Sequence, residues 1–122
     1  MPRKAVDYSN TVIYKIVCND LNVMDCYVGH TTDFTKRKSG HKSLCNNEKS
    51  RQHNLKIYKS IRENKGWDNW SMIEIEKYPC NDANEARAKE REWYEQLHAN
   101  LNSDVPGRSD REYIEDNKQH IT

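Results

Sequence analysis

The sequence predicts an α+β fold: a small three-stranded antiparallel sheet flanked by helices in the order β-β-α-α-β-α, followed by a charged C-terminal helix. Three observations carry this. β-branched and aromatic residues gather in three short segments bounded by turn-forming residues. Between the second and third of these, the apolar spacing lengthens to that of a helix. Finally, Asp82 followed three residues later by Glu85 is a capping pattern that opens the longest helical stretch.

Residues 11–18 (TVIYKIVC) and 24–30 (MDCYVGH) are strand-like and separated by NDLNV, so they form an antiparallel hairpin. After Asp33, Phe34, Arg37, His41, Leu44 and Cys45 recur at helical spacing, with Lys36, Lys38 and Lys42 on other faces. This is a basic helix, interrupted by the weak helix former Gly40. Beyond a polar loop, Leu55, Tyr58 and Ile61 outline a second short helix that stops near residues 64–66. In residues 70–78, Met72, Glu74 and Glu76 alternate with Ile73, Ile75 and Lys77, the pattern of a half-buried strand. The long helix runs from Asp82 to about Leu97. Ser109 and Glu112 then repeat the capping pattern ahead of a charged helix with almost no apolar face, which is expected to continue past Thr122.

With 122 residues, the chain has room for one core. We expect a tail at 1–10, a domain at 11–103, and a linker with the start of the charged helix at 104–122. No segment approaches the roughly 20 apolar residues that span a bilayer, and the N-terminal residues lack the apolar core of a secretory signal. A soluble intracellular protein without membrane partners is expected. Its four cysteines show no C-x-x-C pairing and read as reduced. A zinc site at His41 and Cys45, four apart on one helix face, has only two ligands to support it. The net charge of +1 conceals a basic stretch: residues 34–65 hold ten Lys or Arg against two Glu. Such a stretch suits a polyphosphate backbone, although many are simply solvated faces.

Three sets of polar residues point toward the core. At 100° per residue, Ala86, Glu90, Trp93 and Leu97 fall within about 60° of one another. Glu90 therefore faces inward and needs a partner, either a cation from the protein or a metal ion. Arg37 and His41 share the inward face of the basic helix. They suit a phosphate, or else a salt bridge from Arg37 to Glu90 beside a neutral core imidazole. Tyr14 and Tyr27 lie one on each hairpin strand and, taken alone, read as core.

Taken together, VIY (12–14), YVG (27–29), Arg37 ten residues after Tyr27, His41, Glu90 and Asn102 in an LN pair resemble the GIY-YIG nuclease superfamily over about residues 11–108. The stretch AKEREWYEQL, ending in LN, is most similar to stand-alone and homing-type members, including those of large DNA viruses. Val12 replaces the first glycine of the pattern, and His30 follows YVG where lysine or a small polar residue is common. Glu92 competes as the acidic ligand, but it lies off the inward face, and Glu90 stands twelve residues before Asn102 as in repair-type and restriction-type members.

The resemblance implies a DNA endonuclease that uses Mg²⁺, with Mn²⁺ able to substitute, and no small-molecule cofactor. Glu90 would hold the metal and Arg37 the phosphate. Tyr14 would serve as base with Tyr27 orienting the water or phosphate. His41 would accept the tyrosine proton or bond the phosphate, and Asn102 would position Glu90 or the backbone phosphate. His30, Lys36, Lys38, Lys42, Lys56 and Lys59 would contact DNA. An alternative is a nucleic-acid-binding module with the same fold and an idle site; a zinc-stabilised interaction domain is a third reading. Oligomeric state and target sequence are not encoded in any recognisable motif.

Overall fold

Alternation of apolar and polar residues sets the sheet. In the computed structural model, which describes residues 6–102, the strands are β1 (Val12–Cys18), β2 (Cys26–Thr31) and β3 (Trp70–Lys77). The order across the sheet is β2-β1-β3, both pairings antiparallel. The helices are α1 (Phe34–Asn46), α2 (Lys56–Glu63) and α3 (Ala83–Gln96), so the expected β-β-α-α-β-α order holds. The predicted C-terminal helix, the linker at 104–122 and the first five residues of the predicted tail lie outside the described residues.

Side-chain alternation divides the strands between two cores. Tyr14, Ile16, Cys18, Trp70 and Met72 face Cys45 of α1 and Ile57, Tyr58 and Ile61 of α2. Ile13, Cys26 and Val28 face the other way, toward Trp93, Tyr94 and Leu97 at the end of α3. The sheet is thus a middle layer with helices on both faces, and a group on α3 reaches residues on the opposite face only around a strand edge. Cys18, Cys26 and Cys45 are buried and all four cysteines are free thiols.

Helix ends follow their sequence signals. The Asp33 carboxylate accepts the Lys36 amide at the start of α1, and Asp82 accepts the Glu85 amide at the start of α3. The Glu85 carboxylate takes the Asn81 amide, one residue outside the expected capping box. At the end of α2, Lys65 and Gly66 take positive φ, and the Gly66 amide bonds back to the Ile61 carbonyl.

The predicted alternation of the third strand breaks near its end. The register slips between Ile13 and Tyr14, which pair with Glu76 and Glu74, so Ile75 is an extra residue on β3. Beyond the slip, Ile75 packs against the α3 core, and Glu76 pairs with Lys89 of α3 at 3.6 Å. Ile73 is 42% exposed because α3 lies across β2 and β1 and leaves that part of β3 open.

An open edge strand would present unpaired amides and carbonyls. Residues 99–102 cover the outer edge of β2. The Cys26 amide donates to the Asn100 side chain, and the Cys26 carbonyl accepts from the Asn100 and Leu101 amides. Asn102 binds Val28 at both ends: its carbonyl oxygen accepts the Val28 amide at 3.1 Å, and its amide donates to the Val28 carbonyl at 2.8 Å.

Candidate active site

Tyr14 and Tyr27 lie on the α1/α2 face of the hairpin, with ring centroids 6.3 Å apart. Phe34 and His41 meet the Tyr14 ring edge-on at 6.3 and 5.8 Å, which boxes it in. Tyr14 is fully buried and crosses directly over Gly29, its register partner on β2. A Cβ at position 29 would sit 2.5 Å from the Tyr14 hydroxyl oxygen and 2.6 Å from the ring carbon bearing it. The glycine of YVG is therefore a requirement of the tyrosine on the neighbouring strand.

His41 is 5% exposed and has both ring nitrogens occupied. Nε2 lies 2.7 Å from the Tyr14 hydroxyl and Nδ1 lies 2.8 Å from the Tyr58 hydroxyl. Burial, reinforced by the Arg37 charge, lowers its pKa to about 4. His41 is therefore neutral at physiological pH, and neither nitrogen is free to take zinc with Cys45. Among the described residues no group of three or more His, Cys, Asp or Glu is placed to hold a metal ion.

This pKa makes a stability prediction. Between pH 6.5 and about 4 the unfolded chain protonates His41 and the folded chain does not, so acid favours unfolding across that window. The contribution, on the order of 3 kcal/mol, is intact above pH 6.5 and lost as pH falls to 4. Urea unfolding of the wild type should lose stability more steeply across this range than His41→Gln; equal pH slopes would contradict the assignment.

Burial raises the pKa of Tyr14, Tyr27 and Tyr58, the last to about 12. The Arg37 charge opposes burial at all three tyrosines, while Glu90 raises Tyr14 and Tyr27 further. A phenol acts as a base near neutral pH most readily when neighbouring cations lower its pKa. Here desolvation outweighs the one nearby arginine, and both hairpin phenols hold their protons.

Glu90 comes from the opposite face of the sheet. Its side chain is 13% exposed, and Oε1 lies 3.0 Å from Nδ1 of His30, which also projects from the α3 face of β2. Among the described residues, Oε2 has no hydrogen-bond or ion-pair partner. The alternative of an Arg37–Glu90 salt bridge is absent among these residues; His30 is the partner instead. The Glu90 charge nevertheless acts on Tyr14 and Tyr27, so both phenols lie within its electrostatic reach. Glu92 is exposed and pairs with Lys89 at 2.8 Å.

A groove of about 740 Å³ opens beside these groups, between α1, the end of β2 and the start of α2. Tyr27, Lys36, Arg37, His41 and Tyr58 all border it. Lys38 and Lys42 are exposed on α1 outside it. Lys56 and Lys59 border a different cavity together with Asp25 and Glu63, where acidic neighbours offset their charge. The structure thus gathers Tyr14, Tyr27, Arg37, His41 and Glu90, ties His30 to Glu90, and commits the Asn102 amide to the Val28 backbone. Tyr58 carries no functional signal in the sequence, because its i, i+3 spacing with Leu55 and Ile61 is the spacing of an ordinary core position.

A small α+β domain with paired hairpin tyrosines, an arginine beside a groove and a carboxylate with one oxygen unpartnered among the described residues has the makings of a phosphate-handling site. The family model for the GIY-YIG catalytic domain matches residues 10–102, and the chain belongs to this family of nucleases. No curated protein and no solved structure matches it.

Proposed function

We propose that the chain is a divalent-metal-dependent endonuclease that hydrolyses DNA phosphodiester bonds. The observation carrying this reading is the convergence of Arg37, Glu90 and the two hairpin phenols from four elements and both faces of the sheet. The Glu90 carboxylate, held at one oxygen by His30 and without a partner at the other among the described residues, fits a hard cation. Mg²⁺ is bound through one or two carboxylates and otherwise keeps its waters, and Mn²⁺ accepts the same donors. When bound there, the cation supplies positive charge for a leaving 3′ oxygen.

Arg37 grips the non-bridging oxygens with its planar fork and favours the added charge of the pentacoordinate transition state. Tyr14 is the base. Because burial keeps its proton in place, it acts by passing that proton to His41 Nε2 as it takes one from the attacking water. Tyr27 orients the water or the phosphate from the groove wall. Asn102 acts at a distance, fixing the backbone of Val28 between Tyr27 and Gly29. Lys36, at the groove, and Lys38 and Lys42, exposed on the same helix, hold the DNA backbone.

Supercoiled plasmid incubated with the protein should become nicked or linear with Mg²⁺ or Mn²⁺ and remain intact with chelator. DNA affinity should fall steeply with salt because lysines displace condensed counterions. Salt-sensitive binding without cleavage at any metal concentration would identify an idle binding module instead.

A further inference from the structure

Resting on the reading of Tyr14 as base, we propose that Tyr58 is a positioning residue that completes a buried proton relay from Tyr14 through His41 to the groove. Three elements, β1, α1 and α2, bring the groups into line. Tyr14 Oη lies 2.7 Å from His41 Nε2, and Tyr58 Oη lies 2.8 Å from His41 Nδ1. All three residues are buried, with exposures of 0%, 5% and 3%. His41 and Tyr58 both border the groove, so the far end of the line lies beside it. Among the described residues, His41 is the only hydrogen-bond partner of the Tyr58 hydroxyl.

A neutral imidazole can accept a proton at one nitrogen while releasing one from the other. That property matters here. Burial and Arg37 make an imidazolium costly at this position, so His41 cannot readily store the proton it receives from Tyr14. With Tyr58 as acceptor it has no need to. The attacking water gives a proton to the Tyr14 oxygen as the Tyr14 O–H proton moves to Nε2. The Nδ1 proton then moves to the Tyr58 oxygen, and the Tyr58 O–H proton passes to water in the groove. Each O–H or N–H bond broken is matched by one formed. The net change is one proton carried from the nucleophile to solvent, with His41 left as its other tautomer. Running the same bonds backward after product leaves restores the starting state. Tyr58 touches no substrate; its part is to hold Nδ1 as the donor side and leave Nε2 open to Tyr14.

The groups facing His41 are Tyr14 from β1, Tyr27 from β2, Arg37 from its own helix and Tyr58 from α2. In Tyr58→Phe only the last is changed, by the loss of one hydroxyl. With DNA saturating, single-turnover cleavage should fall roughly 10- to 100-fold near neutral pH while DNA affinity is unchanged. The deficit should shrink as pH rises and hydroxide takes over the relay. A uniform deficit at every pH, or none, overturns the proposal. The wild type supplies an independent reading: its single-turnover rate should bend downward as the D₂O fraction rises, because several protons move together. A straight dependence overturns the relay even if the variant folds poorly. A wild type that cleaves nothing removes the endonuclease reading along with the relay, whereas a cleaving wild type with an unaltered variant removes the relay alone.

Discussion

Glu90→Ala and Arg37→Ala are each expected to lower metal-dependent plasmid cleavage by roughly 1,000-fold or more while leaving the domain folded. In the proposed reaction Glu90 is the carboxylate that holds the cation, and Glu92 on the same helix is not placed to replace it. Glu92 is turned to solvent and paired with Lys89. Removing Glu90 also leaves His30 without its 3.0 Å partner, but His30 is 23% exposed and water can satisfy it. Arg37 is exposed on α1, and among the described residues it makes no ion pair that its loss would orphan. Circular dichroism should therefore be unchanged in both variants, whereas the rate of gel-resolved nicking should collapse. Wild-type cleavage in either folded variant would remove the assigned roles.

The second large effect belongs to a residue with no side chain. Gly29→Ala should destabilise the domain by about 2–3 kcal/mol, the upper part of the range for overpacking a well-filled core. The new methyl would sit 2.5 Å from the Tyr14 hydroxyl oxygen and 2.6 Å from the ring carbon bearing it. Tyr14 has little freedom to yield: it is fully buried, boxed by Tyr27, Phe34 and His41, and tied to His41 at 2.7 Å. If the ring moves, the hydroxyl leaves the position from which it serves the reaction. Cleavage by the folded fraction should therefore drop as well. Gly40→Ala is the internal contrast, because a Cβ there meets nothing within 4 Å. Inside α1 this change should raise stability by about 0.5–1 kcal/mol through helix propensity. Denaturant midpoints that move the same way in both variants would contradict the steric account.

The local readings that succeeded share a scale. The hairpin, the Asp33 start of the basic helix, the stop near Gly66 and the Asp82 cap are each settled within a few residues, where propensity and periodicity act. The slip that adds Ile75 to β3 was not legible, since strict alternation is also what an unbulged strand would show. Glu85 lies at the expected capping position, yet its carboxylate turns to Asn81, a choice of rotamer that spacing does not specify.

The sequence by itself determined the order of elements, the inward direction of Glu90 and His41, and the family to which they belong; Arg37, expected to face inward with them, is exposed at the groove. The tertiary structure alone decided how those side chains are paired. His30 and Glu90 are sixty residues apart, Asn102 and Val28 seventy-four, and His41 and Tyr58 seventeen. Each contact depends on how helices settle on the two faces of the sheet. Periodicity shows which side of an element meets the core; which partner waits there is fixed only when the layers pack.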